Sequence, residues 1–200
     1  MGLLNKTKYT VIGPMQYADG KNIRNYFNLE LGKLGIILFD HYNKPFIDEC
    51  VQESNELGGE LKEWMKTQQY DRVSERRPIR TYDLNLIDRS DFIIFHFIPG
   101  IVTVGSWEEF FWANRLKKVI FFITESGKEL TPIWVMWTIK HKYIYNSKEE
   151  CLEMIKKIDN KEYGEEYHKK QIQRDKETKE YLENRAKRLQ DNKNGRETIV

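Results

Sequence analysis

Cysteine is nearly missing from this chain of 200 residues: only Cys50 and Cys151 occur, far apart in sequence, with no C-x-x-C pair and no neighbouring histidines. That excludes a disulfide framework and gives no zinc-ligand spacing, and it suits a reducing compartment. Long apolar runs are absent too. No stretch approaches the length of a membrane span, and the opening "MGLLNKTKY" has no signal-peptide core and carries Lys6 where a myristoylation signal needs Ser or Thr. A cytoplasmic protein without membrane attachment is the expectation. Charge of one sign is also lacking, for the formal net charge is only +2. From Lys161 onward 11 Lys or Arg face 9 Asp or Glu, and the preceding part balances at 22 against 22. A neutral body argues against a broad nucleic-acid groove, so nucleic acid is not expected as a partner. Finally, neither G-x-G-x-x-G nor G-x-x-x-x-G-K-[ST] occurs, which disfavours a dinucleotide or Walker phosphate site in "GPMQYADG".

What the chain does have is apolar content of 40% and aromatic content of 13%, enough for one domain with a substantial core. "KYTVIG" reads as a strand ending in Gly-Pro, and Ile23, Phe27, Leu31 and Leu34 follow at helical spacing. "IILF" is a second buried strand, with Gly35 as the stop of the helix before it. Residues 48–80 suggest a helix followed by a charged loop, "DRVSERRPIR". "TYDLNLIDRS" is a short helical run, "DFIIFHFI" a strongly apolar strand, Ser106 to about Leu116 a helix, and "VIFFI" another strand. The pattern weakens through "PIWVMWTIKHKYIY". Ser147 and Glu150 then form a capping box for a helix carrying Cys151, Leu152, Met154, Ile155 and Ile158.

Continuous apolar strands alternating with helices predict an α/β fold: a Rossmann-like (flavodoxin-like) parallel sheet of about five strands with helices on both faces. Residues 1–160 form that domain in this reading, and 161–200 a charged, helical or disordered C-terminal tail.

In such a sheet ligands gather at the carboxyl ends of the strands. Three loops qualify: "GPMQYADGKN", "DHYNKPF" and "PGIVTVGSWEE". The last brings Glu108 and Glu109 to that edge. A local explanation competes, because Ser106 and Glu109 have capping-box spacing and acids near a helix N-terminus are favoured by its dipole. Two adjacent acids on a helix point about 100° apart, so only one can face a shared site.

The order of three motifs carries a resemblance. "YTVIGPM", "YDLNLIDRSDFIIF" and "GSWEEFFWANRLKKVIFF" together resemble the nucleoside 2-deoxyribosyltransferase superfamily, including its phage proteins and the related 2'-deoxynucleoside 5'-phosphate N-hydrolases. The resemblance spans about Lys8 to Ile123. It implies N-glycosidic cleavage or transfer on 2'-deoxyribonucleosides or their 5'-monophosphates through a covalent glycosyl-Glu intermediate. It places Gly105, Glu109 and Ala113 on the Gly-x-x-x-Glu-x-x-x-Ala motif, with Glu109 as nucleophile. Asp83 then helps hold and protonate the base, with Asp91 in reserve, and Tyr9 or Tyr17 orients the nucleophile. Substrate contacts are expected around Gly13, Pro14, Met15, Tyr17, Asp19, Asn22, Asp91, Gly105 and Ser106, and also at Glu108, which is absent from the family's usual pattern. The chain departs from the family at Phe111, where Gly is common, and at Thr103, where an acid is common. No metal or redox cofactor is implied. The partners would be a deoxynucleoside or deoxynucleotide, a free nucleobase as acceptor, and further copies of the chain in a homo-oligomer.

Cleaving an N-glycosidic bond needs an ionised carboxylate at C1' and help for the departing base, so two acids in different surroundings suit the chemistry. Other readings of the same residues are structural. Asp91 could accept backbone N–H groups at a strand start, Asp83 could lie on an exposed helix face, and Trp107, Trp112 and His96 could be core. "RRPIR" and "RLKK" could be solvated basic faces; His41 sits well for a ligand. A non-catalytic nucleotide-binding or sensing module on the same fold is the alternative function, and a scaffold working through its tail is a third.

Overall fold

A computed structural model describes residues 2–14, 19–44, 55–101, 103–162, 176–177 and 179–185. The chain divides into two units, Met1–Lys156 and Lys157–Val200. The first is built on five parallel strands: β1 (Lys8–Ile12), β2 (Ile37–Leu38), β3 (Phe92–Phe97), β4 (Val119–Thr124) and β5 (Ile144–Tyr145). Their spatial order is β2-β1-β3-β4-β5. The chain is therefore an α/β protein with a Rossmann-like, flavodoxin-like sheet. The helices are α1 (Asp19–Gly32), α2 (Asn55–Lys66), α3 (Tyr70–Ser74), α4 (Arg77–Arg89), α5 (Val104–Arg115), α6 (Ile133–Thr138) and α7 (Lys148–Asp159). In the second unit residues 176–177 and 179–185 are helical. Among the described residues no helix is long and apolar enough to cross a membrane.

The central strands are mostly apolar on both faces, which only a sheet covered on both sides can bury. Apart from Lys8 at the start of β1, the few polar residues in them, Thr10, His96 and Thr124, are buried too. β3 pairs with β1 from Tyr9↔Phe92 to Ile12↔Phe95, and with β4 from Phe92↔Val119 to Phe97↔Thr124. One face carries Ile12, Ile93, Phe95, Ile120 and Phe122, which pack against Ile87 of α4 and Phe110 and Ala113 of α5. Phe95 stacks on Phe122 with centroids 5.1 Å apart and meets Phe110 edge to face at 5.4 Å. Trp107 lies against Phe95 at 5.1 Å, so this tryptophan is core.

Two expectations need correction. "DRVSERRPIR" is no loop: residues 70–74 form α3, and α4 begins at Arg77. Pro78 fits there because a first-turn N–H has no intrahelical partner to lose. The buried residues of α4 are Ile79, Asp83, Leu86 and Ile87, a stripe at helical spacing, so Asp83 is on the buried face rather than an exposed one. The weak region after Pro132 holds α6, a 3-10 turn at His141–Tyr143 and the two-residue β5. α6 exposes Ile133, Trp134 and Trp137, the two indoles meeting edge to face at 5.2 Å.

The box at the start of α7 forms as expected on one side, with Glu150 N–H donating to Ser147 Oγ at 3.1 Å. Its return bond goes to Asn146 N–H instead, at 2.9 Å. The terminus of α1 is closed by Gly35, whose φ of +73° is costly for other residues.

Candidate active site

β1 and β3 are neighbours, yet the chain leaves β1 toward β2 on one side and β3 toward β4 on the other. That reversal opens the sheet's crevice at their carboxyl ends. Gly13 follows β1 there. A Cβ on it would lie 3.0 Å from the His96 carbonyl oxygen and 3.2 Å from His96 Cβ, so a side chain would push the two strand ends apart. α5, which follows β3, is tied to the same place: Ser106 Oγ–H donates to the Gly13 carbonyl at 3.2 Å. This bond replaces the expected capping box. α5 starts two residues earlier than the sequence suggested, with Thr103 as its N-cap residue, so Ser106 is inside the first turn.

Glu109 is thereby one turn further along, on the buried side with Ser106, Phe110 and Ala113. It retains 6% of its exposure. Its carboxylate oxygen Oε1 accepts a hydrogen bond from Arg80 Nη1. The same guanidinium donates through Nε to Glu108 Oε2 at 2.8 Å and through Nη2 to the Gly105 carbonyl at 2.9 Å. Glu108 points to solvent, as the 100° step between neighbours requires.

α4 supplies the second carboxylate. Asp83, one turn after Arg80, is buried, with Oδ2 3.9 Å from Arg80 Nη1. Both carboxylates thus reach one guanidinium nitrogen. The other oxygen of Asp83 lies 3.0 Å from the buried ammonium of Lys44. His41, from the same post-β2 segment, is also buried; its Nε2 is 3.8 Å from Glu109 Oε2, and its Nδ1 is 3.4 Å from the Thr10 hydroxyl. Arg24 of α1 donates to the Gly20 and Val11 carbonyls at 2.7 and 3.0 Å, placing another cation near.

The electrostatics follow from this packing. Burial pushes the Glu109 carboxyl up to about 7, with the Arg80 charge opposing, Asp83 adding to the rise and Arg24 again opposing. His41 is held well below its ordinary range by burial first and then by Arg24, Lys44 and Arg80, so its ring is neutral near pH 7. The cluster can therefore hold an ionised carboxylate beside a neutral imidazole, with buried cations within reach of anionic groups.

No family model and no curated protein matches the chain in sequence. A conserved protein from Enterococcus faecalis V583 superposes with a TM-score of 0.51 at 15% identity, over 76% of this chain and 98% of that one. The shared property is the fold. A CMP N-glycosidase from Clostridium botulinum gives a TM-score of 0.42, also at 15% identity, over 75% of this chain and 98% of that one.

Within that fold the other expected site residues scatter. Gly13, Gly105 and Ser106 lie at the crevice edge with Glu109, and the buried Pro14 follows Gly13. Met15 and Tyr17 lie outside the described residues; Asp19 opens α1, and Asn22 is exposed on it. Tyr9 is not brought to Glu109. It alternates along β1 with Thr10 and so leaves the opposite sheet face, where its ring stacks on Phe92 at 5.4 Å. Burial and the Asp40 charge raise its phenol well above the ordinary range.

Asp91 is at the other end of the sheet. It precedes β3, and its Oδ2 accepts the Lys8 N–H at 2.7 Å while its own N–H donates to the Lys8 carbonyl at 2.7 Å. We expect Asp91→Ala to lower stability by about 1 kcal/mol in urea unfolding, with ligand binding at the opposite edge unchanged.

Sequence reasoning missed Arg80, Lys44 and Arg24. Arg80 had one usable signal, its position three residues before Asp83 on the same helix face. Lys44 sits in a loop already singled out by topology. Arg24 lies between Ile23 and Phe27 with nothing to distinguish it.

Proposed function

We propose that the protein cleaves or transfers the N-glycosidic bond of 2'-deoxyribonucleosides or their 5'-monophosphates, with Glu109 as nucleophile and Asp83 on the side of the base. The observation that supports this best is the meeting of two buried carboxylates from α4 and α5 on one guanidinium, at the switch point of a parallel sheet.

The chemistry follows. Glu109 Oε2 attacks C1' as the C1'–N bond breaks; the bonding pair leaves with the base, which takes a proton on its ring nitrogen or is stabilised by a hydrogen bond. In this reading Asp83, or the Lys44 ammonium 3.0 Å from it, supplies that proton or hydrogen bond and takes a proton back from the attacking water or base in the second step. The glycosyl ester is then opened at C1' by water, which loses a proton and gives free deoxyribose or its phosphate, or by a nitrogen of another base, which regenerates a nucleoside. Two displacements at one carbon retain configuration. Water as acceptor makes the protein a hydrolase, and a base makes it a transferase.

Incubating deoxynucleosides and deoxynucleoside monophosphates with the protein, with and without a free base, and separating the products tests this reading. Base release or base exchange supports it; neither, from any of them, removes it.

The attacking form of Glu109 is the carboxylate, so protonation removes activity. With the group near 7, kcat/KM should rise with pH through about 7 and fall about tenfold per pH unit below it. An acidic limb centred near 4.5 would contradict the burial of this carboxyl.

A non-catalytic nucleotide-binding role is the second reading, favoured by the way Arg80 already engages Glu109. It predicts thermal stabilisation by a nucleotide, no turnover, and binding indifferent to Glu109→Gln.

A further inference from the structure

Glu108 is an odd residue for a site that needs one nucleophile, and Arg80 explains its presence. Three nitrogens of one guanidinium meet three different acceptors: Nε meets Glu108, Nη1 meets Glu109, and Nη2 meets the Gly105 carbonyl. All three acceptors belong to the first two turns of α5, and Arg80 belongs to α4. The contact therefore fixes the helices' relative position where the carboxylate stands. It also treats the two oxygens of Glu109 differently. Oε1 is bound by Arg80, whereas Oε2 is turned toward His41, 3.8 Å away and beyond hydrogen-bond reach.

We propose that Arg80 is a positioning residue: anchored by Glu108 and the Gly105 carbonyl, it holds Glu109 by one oxygen and presents Oε2 to the reacting carbon. This rests on the reading of Glu109 as nucleophile and assigns Arg80 and Glu108 parts in it. Glu108 acts through Arg80 and does not touch substrate.

Only a planar fork serves three acceptors in fixed directions. A lysine at position 80 would keep the charge and lose the geometry. The other charged groups around Glu109 do not substitute for it: Asp83 on α4 is an anion, Lys44 is bound to Asp83, Arg24 donates to backbone carbonyls, and His41 is neutral.

Arg80→Lys, Arg80→Gln, Glu108→Gln and the Arg80→Lys/Glu108→Gln double variant separate the effects. Two readouts are needed: the titration of the Glu109 carboxyl, followed by carbon NMR of glutamate-labelled protein and assigned with Glu109→Gln, and kcat and KM across pH. Arg80→Gln should move the Glu109 midpoint up by about one pH unit or more, since a direct cationic partner is lost. Arg80→Lys should leave the midpoint within about half a unit yet lower kcat by about 10- to 100-fold with little change in KM, the signature of lost orientation. Glu108→Gln should lower kcat several-fold, since the amide can still accept from Arg80 Nε but lacks the charge that anchors it, and the double variant should be no worse than Arg80→Lys alone, because both changes act on one linkage.

Wild-type kcat in Arg80→Lys, additive losses in the double variant, or an unmoved midpoint in Arg80→Gln would each overturn the proposal. Lowered melting temperature with wild-type kcat and midpoint would assign Arg80 a purely structural role. Should Arg80→Gln fail to fold, Arg80→Lys and the exposed Glu108→Gln decide. If the wild-type protein turns over no nucleoside or nucleotide, the N-glycosidic reading fails. The titrations of Arg80→Gln and Arg80→Lys then decide whether Arg80 governs Glu109.

Discussion

Glu109→Gln should abolish turnover, lowering kcat by about 1,000-fold or more while leaving nucleotide binding nearly intact. The amide matches the carboxylate in shape and can still accept a hydrogen bond from Arg80, but it cannot attack C1'. Steady-state base release and a binding titration on the same preparation check both halves. Folding gives an internal control. The Glu109 carboxyl moves from 4.5 to about 7 when buried, so between those values the folded protein binds more protons than the unfolded chain. Wild-type stability therefore carries a penalty that grows as pH rises through this window, and Glu109→Gln is free of it. The variant should gain on wild type from pH 4.5 to 7. An inactive variant that also loses ground over this range would point to misfolding rather than a missing nucleophile.

Asp83→Asn should be the second-largest effect, about 100-fold or more in kcat on ordinary nucleobases. Its cause lies on the departing side. Asp83 is buried and joined to Lys44 at 3.0 Å, and the substitution removes the charge that holds this ammonium in place. A base that leaves without help discriminates between roles. A 7-methylated purine already carries positive charge, so its release should suffer about tenfold less from Asp83→Asn than that of the parent purine. Equal losses on both substrates would mean that Asp83 only supports the fold or the position of Arg80.

Much of the scaffold was readable because burial leaves a plain trace in sequence. "VIFFI" is an unbroken apolar run and "FIIFHF" is broken only by His96, as parallel strands covered on both faces demand, and both form central strands. The edge strands were harder. "IILF" does hold a strand, but β2 is only the two residues Ile37–Leu38 at the sheet's edge, with Ile37 exposed rather than buried, and β5, also two residues long, is too short for a periodic pattern to show. α3 and the first turn of α4 were hidden by charge, because helices whose outer face is all polar look like a loop when apolar positions are sparse.

The site was legible only in part. Topology placed the loop before α5 at the ligand edge, and Glu109 is buried there. The capping-box alternative drew on the same residues, and the sequence could not separate it from the functional reading. A two-residue shift in the start of α5 did, by moving Ser106 inside the helix and onto the Gly13 carbonyl. Arg80 resembled its neighbours in "RRPIR". Arg77 is exposed, whereas Arg80 turns inward because Asp83 shares its face. Which arginine of a basic run meets a buried carboxylate depends on helix phase, and a run with so few apolar residues shows no phase in its sequence. Alternation along the strand decides the place of Tyr9 in the same way, sending its ring to the face opposite Thr10, against Phe92.

The most direct measurement is intact-protein mass spectrometry after rapid acid quench of the protein with a slow deoxynucleoside or deoxynucleotide substrate, followed by peptide mapping. The account predicts a mass increase equal to one deoxyribosyl or deoxyribosyl-phosphate group, located on Glu109 in the peptide from α5 and absent in Glu109→Gln. Base release without any adduct, or an adduct carried by Asp83 or Glu108, would contradict it.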